Sequence, residues 1–327
     1  MEIERRALYN SLRMTSQCDP SLKVEPWQVE DYRALPVDKI FDRLEAQDIV
    51  LDKVSFLALS DEYDTPEELT DDLVSDMDLP NDEQDKIYLL LFEIWRRFAP
   101  DKPCLSTFCD ELDHQINLFD LQKAHPESIQ DAIANLKVIL DENIDNGVDP
   151  VEIFETISAG CANDVENFLY DFISEQIDMG NESFATELLE GFEEYLGDVK
   201  WFDFLRIRVL AFNDKELADT KIRALVRDLS LEPDLEFNLE ALAFIVKSSD
   251  QSVFAAIVKK TIPLLETEED FLDLLSLSAE FFRYLDRDHE EQLIQQIIDQ
   301  RSTKTMNRGI SKNDPAFSEI IKICESR

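Results

Sequence analysis

Residues 164–204 read DVENFLYDFISEQIDMGNESFATELLEGFEEYLGDVKWFDF. Acids alternate there with Phe168, Tyr170, Phe172, Phe184, Phe192, Tyr195, Trp201, Phe202 and Phe204 at three- and four-residue spacing, the repeat that puts apolar side chains on one face of an α-helix. The same rhythm of charged helix formers with Leu, Ile and Phe runs through the rest of the chain. Only six glycines occur in 327 residues, so little in the sequence breaks a helix. The fold class this predicts is all-α.

Outward from that stretch, helix boundaries are written in the residues. In Asp85–Phe98, Ile87, Leu90, Leu91, Ile94 and Trp95 form a core stripe, and Pro100 disfavours helical geometry at Ala99, so the helix ends there. Thr65-Pro66-Glu67-Glu68 and Asp149-Pro150-Val151-Glu152 each combine a short polar cap, a proline at the first helical position and an acid in the first turn. Both are read as helix starts. Before residue 122 the helices are shorter and irregular, at about 2–14, 37–48, 66–77, 85–98 and 105–118.

From residue 164 a pair rhythm sets in. First helices begin near Phe168, Phe202, Phe237 and Phe271, at intervals of 34, 35 and 34 residues, and second helices follow near Phe184, Leu217, Phe254 and His289. Over about 164–300 this periodicity resembles tetratricopeptide-type α-solenoid repeats, with Gly180 and Ala185 at turn and small-residue positions; the family's Trp-Leu-Gly-Tyr pattern is absent. The resemblance implies a binding scaffold presenting a surface to peptides or partner helices, and it carries over no functional residue. The expected organisation is an irregular N-terminal helical bundle or cap (1–122), stacked helix pairs (123–300) and a mobile basic tail with a short helix near Ala316–Cys324 (301–327).

Charge narrows the function classes. The 72 Asp and Glu against 32 Lys and Arg give a net charge of −40, which disfavours nucleic acid and anionic membranes and raises the encounter rate with basic partners. Residues 54–85 carry 12 acids and residues 138–199 carry 17, each run without a Lys or Arg, whereas residues 301–327 hold six bases and three acids. The late cations Arg206, Arg208, Lys221, Arg223, Arg227, Lys259 and Lys260 either offset the acidic runs, within the molecule or in a neighbouring copy of a homo-oligomer, or form a solvated helix face. Five cysteines at irregular spacing do not form a disulfide framework, and no stretch approaches a membrane span. A cytoplasmic protein without a cleaved signal is expected.

The sharpest motif is Asp141, Asn143, Asp145, Asp149 and Glu152, which fall at positions 1, 3, 5, 9 and 12 of an EF-hand-like calcium loop. The glycine required at position 6 is Asn146, with Gly147 one later, and a plain connection explains the segment too: Gly147 ends one helix, Asp149 caps the next and Pro150 opens it. Cys104, Cys109, Asp110 and His114 cluster without the spacing of a zinc site. Three histidines, no phosphate-binding glycine loop and no Gly-x-Ser-x-Gly leave enzymatic chemistry without its usual parts. No cofactor is expected.

The leading expectation is a non-enzymatic acidic scaffold or chaperone-like adaptor that binds a basic or amphipathic protein segment by electrostatic steering and apolar docking. Its candidate contact residues are Asp164, Glu166, Asp171, Glu175, Asp178, Glu182, Glu187, Glu190, Glu193 and Glu194, with Tyr170, Tyr195 and Trp201 as aromatic anchors. The alternatives are a nucleic-acid mimic occupying a DNA-binding protein and a calcium-responsive protein using Asp141–Glu152.

Overall fold

A computed structural model describes residues 5–197, 199–228, 233–247, 250–301, 305 and 307–326. It is all-α: seventeen helices and no strand among the described residues, with one isolated β-bridge between Thr267 and Gly309. The chain divides into two compact units, Met1–Asp171 with Gly191–Gly197, and Phe172–Glu190 with Asp198–Arg327.

The first unit is built around α5 (Asn81–Phe98), whose residues Ile87 to Trp95 are all buried. Around it pack α2 (Val37–Glu45), α3 (Lys53–Ser60) and α4 (Pro66–Ser75). The helix stops at Ala99 as Pro100 requires, and the Trp95 indole donates to the Lys102 carbonyl at 3.3 Å. Thr65 caps α4 through the Glu68 amide at 3.1 Å. The two-turn α3 was not foreseen; Asp52 and Ser55 cap it reciprocally and Phe56 is its main buried anchor. The helix expected over 37–48 ends three residues early, where Asp48 adopts a left-handed φ of 61°.

α1 (Arg5–Cys18) is clamped to α6 (Leu105–Asp120) by buried charge. Arg6 donates to Asp110 at 2.6 Å, Arg33 reaches the other oxygen of the same carboxylate at 2.5 Å, and Asn10 bridges Asp110 and Asp113 at 3.1 and 3.2 Å. Asp113 also accepts the Ala162 and Asn163 amides at 2.9 and 3.0 Å, and so holds the turn between α8 (Pro150–Ala159) and α9 (Val165–Asp178). Gly160 is needed in that turn because a Cβ there would stand 2.9 Å from the Cys109 sulfur.

The pair rhythm runs through the helices from α9 onward. The sequence anchors of the first helices fall in α9, α11 (Val199–Asn213), α13 (Leu235–Ile245) and α15 (Glu268–Tyr284). Those of the second helices fall in α10 (Glu182–Phe192), α12 (Lys215–Asp228), α14 (Gln251–Thr261) and α16 (Asp288–Arg301). The period reappears in the contacts: Lys200–Asp234, Arg208–Ser174 and Lys260 with the Val226 carbonyl all join residues 34 apart. One apolar core runs from Phe204 to Cys324.

The C-terminal segment is part of that core. α17 (Pro315–Glu325) buries Phe317, Ile320, Ile323 and Cys324, and Phe317 meets Phe271 edge-on at 5.0 Å. Arg301 donates to Glu268 at 2.8 Å and to Asp314 at 2.7 Å, fastening the approach to α17. The backbone from Arg308 to Ile310 is bonded to Glu266 and Glu268. The short helix expected near Ala316–Cys324 is α17, and its apolar stripe is buried like any other; Ser302, Thr303, Lys304 and Met306 of the expected mobile segment lie outside the described residues.

Candidate functional site

Helical spacing brings one stripe of each of three first helices together. α11 contributes Phe204, Arg208, Ala211 and Phe212, α13 and its end contribute Glu240, Ala243, Phe244 and Lys247, and α9 contributes Ser174, Ile177 and Asp178. Lys215 and Asp219 from the start of α12 complete a groove of about 650 Å³, entirely within the second unit. Ile177 and Phe204 are buried in its floor, Phe244 is half-buried against Phe204 with ring centroids 5.6 Å apart, and Phe212 is 52% exposed. An aromatic ring exposed to that degree beside Ala211 and Ala243 offers area to a ligand at little entropic cost.

The groove's charges are distributed unequally. Arg208 is committed to Ser174 at 2.7 Å and Asp178 at 2.6 Å, so the acid at the end of α9 is neutralised from inside the groove. Lys215 and Lys247 are exposed and make no ion pair among the described residues. Comparison with family models, with curated proteins and with solved structures finds no match for this chain.

The acids and rings singled out from the sequence scatter between the two units. Asp164, Asp171, Glu175 and Asp178 share one outward stripe of α9, whereas Glu166 is half-buried and points to the other side of the helix. Glu187, Glu190, Glu193 and Glu194 are exposed and Glu182 is half-buried on or just past α10. Asp164 caps α9 through the Asn167 amide at 3.0 Å, and only Asp178 of this set lines the groove. Tyr195 is corrected from anchor to core: it is fully buried, its hydroxyl bonds Asp141, and burial followed by that carboxylate pushes its pKa up. Trp201 packs edge-on against Phe237 at 4.9 Å, and Tyr170 is half-buried.

The calcium-loop residues occupy helix ends. α7 (Pro126–Asp145) contains Asp141, Asn143 and Asp145, so Asn143 points roughly 200° around the axis from Asp141 and these oxygens diverge. Asp141 is bonded by Lys137 and by Tyr195, which together lower its pKa. The Asn143 amide donates to the Ile139 carbonyl at 2.8 Å, Gly147 turns the chain with φ 89°, and Asp149 accepts the Val151 and Glu152 amides at 3.0 and 3.2 Å. Every part of the plain helix-to-helix connection is in place. Cys104 sits at the start of α6, Cys109 is buried, and Asp110 is taken by the two guanidinium groups. Burial lowers the His114 pKa. Among the described residues no three His, Cys, Asp or Glu side chains are grouped as metal ligands.

In the other acidic run, 54–85, most acids are exposed, and Glu67, Asp71 and Asp85 bond groups distant in the sequence. Arg5 reaches Asp71 at 3.5 Å and Asp85 at 2.5 Å, Tyr9 donates to Asp85 at 2.6 Å, and Tyr88 and Ser106 both donate to Glu67, at 2.5 and 3.1 Å. These acids meet cations and hydroxyls from distant parts of the sequence. Phe212 and Phe244 are the groove's partly exposed rings, and spacing within either helix does not single them out.

Proposed function

We propose that the chain is a non-enzymatic helical scaffold or adaptor whose second unit holds an amphipathic protein segment in the groove between α9, α11 and α13. The observation that carries this reading is the exposed Phe212 beside Phe244, Ala211 and Ala243 in a concave site flanked by charge. Encounter is favoured for segments with basic residues, because the −40 net charge attracts them over a distance of about one Debye length, roughly 8 Å at physiological salt. Affinity comes from the apolar contact: covering the exposed half of Phe212 contributes about 1 kcal/mol, and the neighbouring rings and methyls add to it.

The test is a titration of a labelled 18-residue synthetic helix, with a Leu/Phe face and a Lys-bearing polar face, into the full chain by fluorescence anisotropy. Binding that weakens at least tenfold in Phe212→Asp, with helicity by circular dichroism unchanged, supports the reading. Equal binding by the wild type and Phe212→Asp, or none by the wild type, overturns it.

A further inference from the structure

A ladder of rings runs between α11 and α13 and stops at the groove. Trp201 meets Phe237 at 4.9 Å and 86°, Phe237 meets Phe204 at 5.5 Å and 65°, and Phe204 meets Phe244 at 5.6 Å and 89°. Each step sets the edge of one ring against the face of the next, the arrangement that the quadrupole of an aromatic ring favours. Phe204 and Phe237 are buried, so the inner rungs are closed. Phe244 is the last rung: it meets Phe204, is half-buried and lines the groove.

Phe212 lines the same groove without joining the ladder. It is 52% exposed and meets no ring among the described residues, whereas Trp201, Phe204, Phe237 and Phe244 all do. Ala211 and Ala243, the residues just before Phe212 and Phe244, also line the groove and fill it with no more than a methyl group each. Charge does not select what enters that space. In the lining, Asp178, Asp219 and Glu240 balance Arg208, Lys215 and Lys247, so neither a cationic nor an anionic anchor gains a net counter-charge there. The exposed Asp214 and Glu216 flank Lys215 outside the lining, where they face the polar side of a segment rather than its anchor. The complementary anchor is uncharged.

We propose that the docked segment anchors itself with an aromatic side chain, which supplies the next rung of the ladder by packing edge-to-face on Phe244 and Phe212. This rests on the groove being the docking site, and it names what the site selects: an amphipathic segment with Phe, Tyr or Trp at the centre of its apolar face, in preference to one that is aliphatic throughout. A planar ring gains from ring-on-ring geometry as well as from the area it covers. An aliphatic side chain of equal size gains only the second.

Four 18-residue synthetic helices test it by anisotropy against the full chain; they share a Leu face and a Lys-bearing polar face and differ at one central apolar position, which is Phe, cyclohexylalanine, Leu or Arg. Cyclohexylalanine keeps the size of Phe and removes its π-system. The Phe helix is expected to bind the wild type more tightly than each of the others by about threefold or more, and its lead over the cyclohexylalanine helix is expected to fall below that in Phe212→Leu, which keeps apolar area at the position. The proposal is overturned if any of the other three helices comes within threefold of the Phe helix, or if Phe212→Leu keeps the full lead. A Phe212→Asp arm separates the two layers. Weakened binding of all four helices there, with no lead for Phe in the wild type, removes the aromatic anchor and leaves the groove, whereas binding that Phe212→Asp does not weaken removes both.

Discussion

At Asp110 two opposing effects meet. Burial alone would raise its pKa, but Arg6 and Arg33, with help from Asn10, outweigh burial and hold the carboxyl well below the ordinary range. A folded value below the unfolded one, near 3.9, means the contribution is complete at neutral pH and is lost as pH falls below about 4. Asp113 has the opposite sense, since burial outweighs its amide donors and raises its pKa. Asp110→Asn should cost about 3–5 kcal/mol at pH 7 by leaving two buried guanidinium groups short of charge. The gap between mutant and wild type should shrink between pH 4 and pH 3, read by urea unfolding at each pH; a gap independent of pH would contradict the assignment. Asn238 is the reverse case, 1% exposed in an apolar core with neither amide atom hydrogen-bonded. Asn238→Leu keeps the branched shape and removes an unsatisfied group, so it should raise stability by about 1–2 kcal/mol. A lower melting temperature would show that the amide has a role the apolar surroundings hide.

Among elements, those with capping chemistry or a long stripe were legible in sequence. α5 ends where Pro100 demands, α4 and α8 start at their Thr-Pro and Asp-Pro signals, and the pair rhythm names eight helices correctly. α3 was missed because eight residues hold too few turns to display a period. The groove was hidden for another reason. Its residues are ordinary within each helix, and only the packing of α9, α11 and α13 brings Ile177, Phe204, Phe212 and Phe244 to one groove. Tyr195 was misread because spacing places a ring on a helix face without saying what covers that face. The stacking has its own testable detail: Lys260 of α14 donates to the Val226 and Arg227 carbonyls, occupying acceptors at the end of α12. Lys260→Ala should speed amide hydrogen exchange in the last turn of α12 several-fold while leaving α13 unchanged, and uniform exchange across both helices would remove that role.

For the whole molecule, 72 acids against 32 bases produce self-repulsion that the ion pairs offset only in part. Acids such as Glu187, Glu190 and Glu194 remain exposed. Raising sodium chloride from 10 to 200 mM should therefore raise the melting temperature by a few degrees, as screening weakens repulsion more than it weakens the buried pairs. A melting temperature that falls with salt would mean that surface pairs dominate instead.

The clamp between α1 and α6 also bears on how the chain is made. Arg6 and Asn10 find their carboxylates 104 and 100 residues later, whereas the contacts that stack the helix pairs recur every 34. On a ribosome the first helix emerges with a cation and an amide that have no native partner until α6 follows, at about 5–20 residues per second. For several seconds the amino terminus can explore other acids of the nascent chain. The later helix pairs, by contrast, close against neighbours only just synthesised, so the two ends of this protein pass through different kinds of waiting.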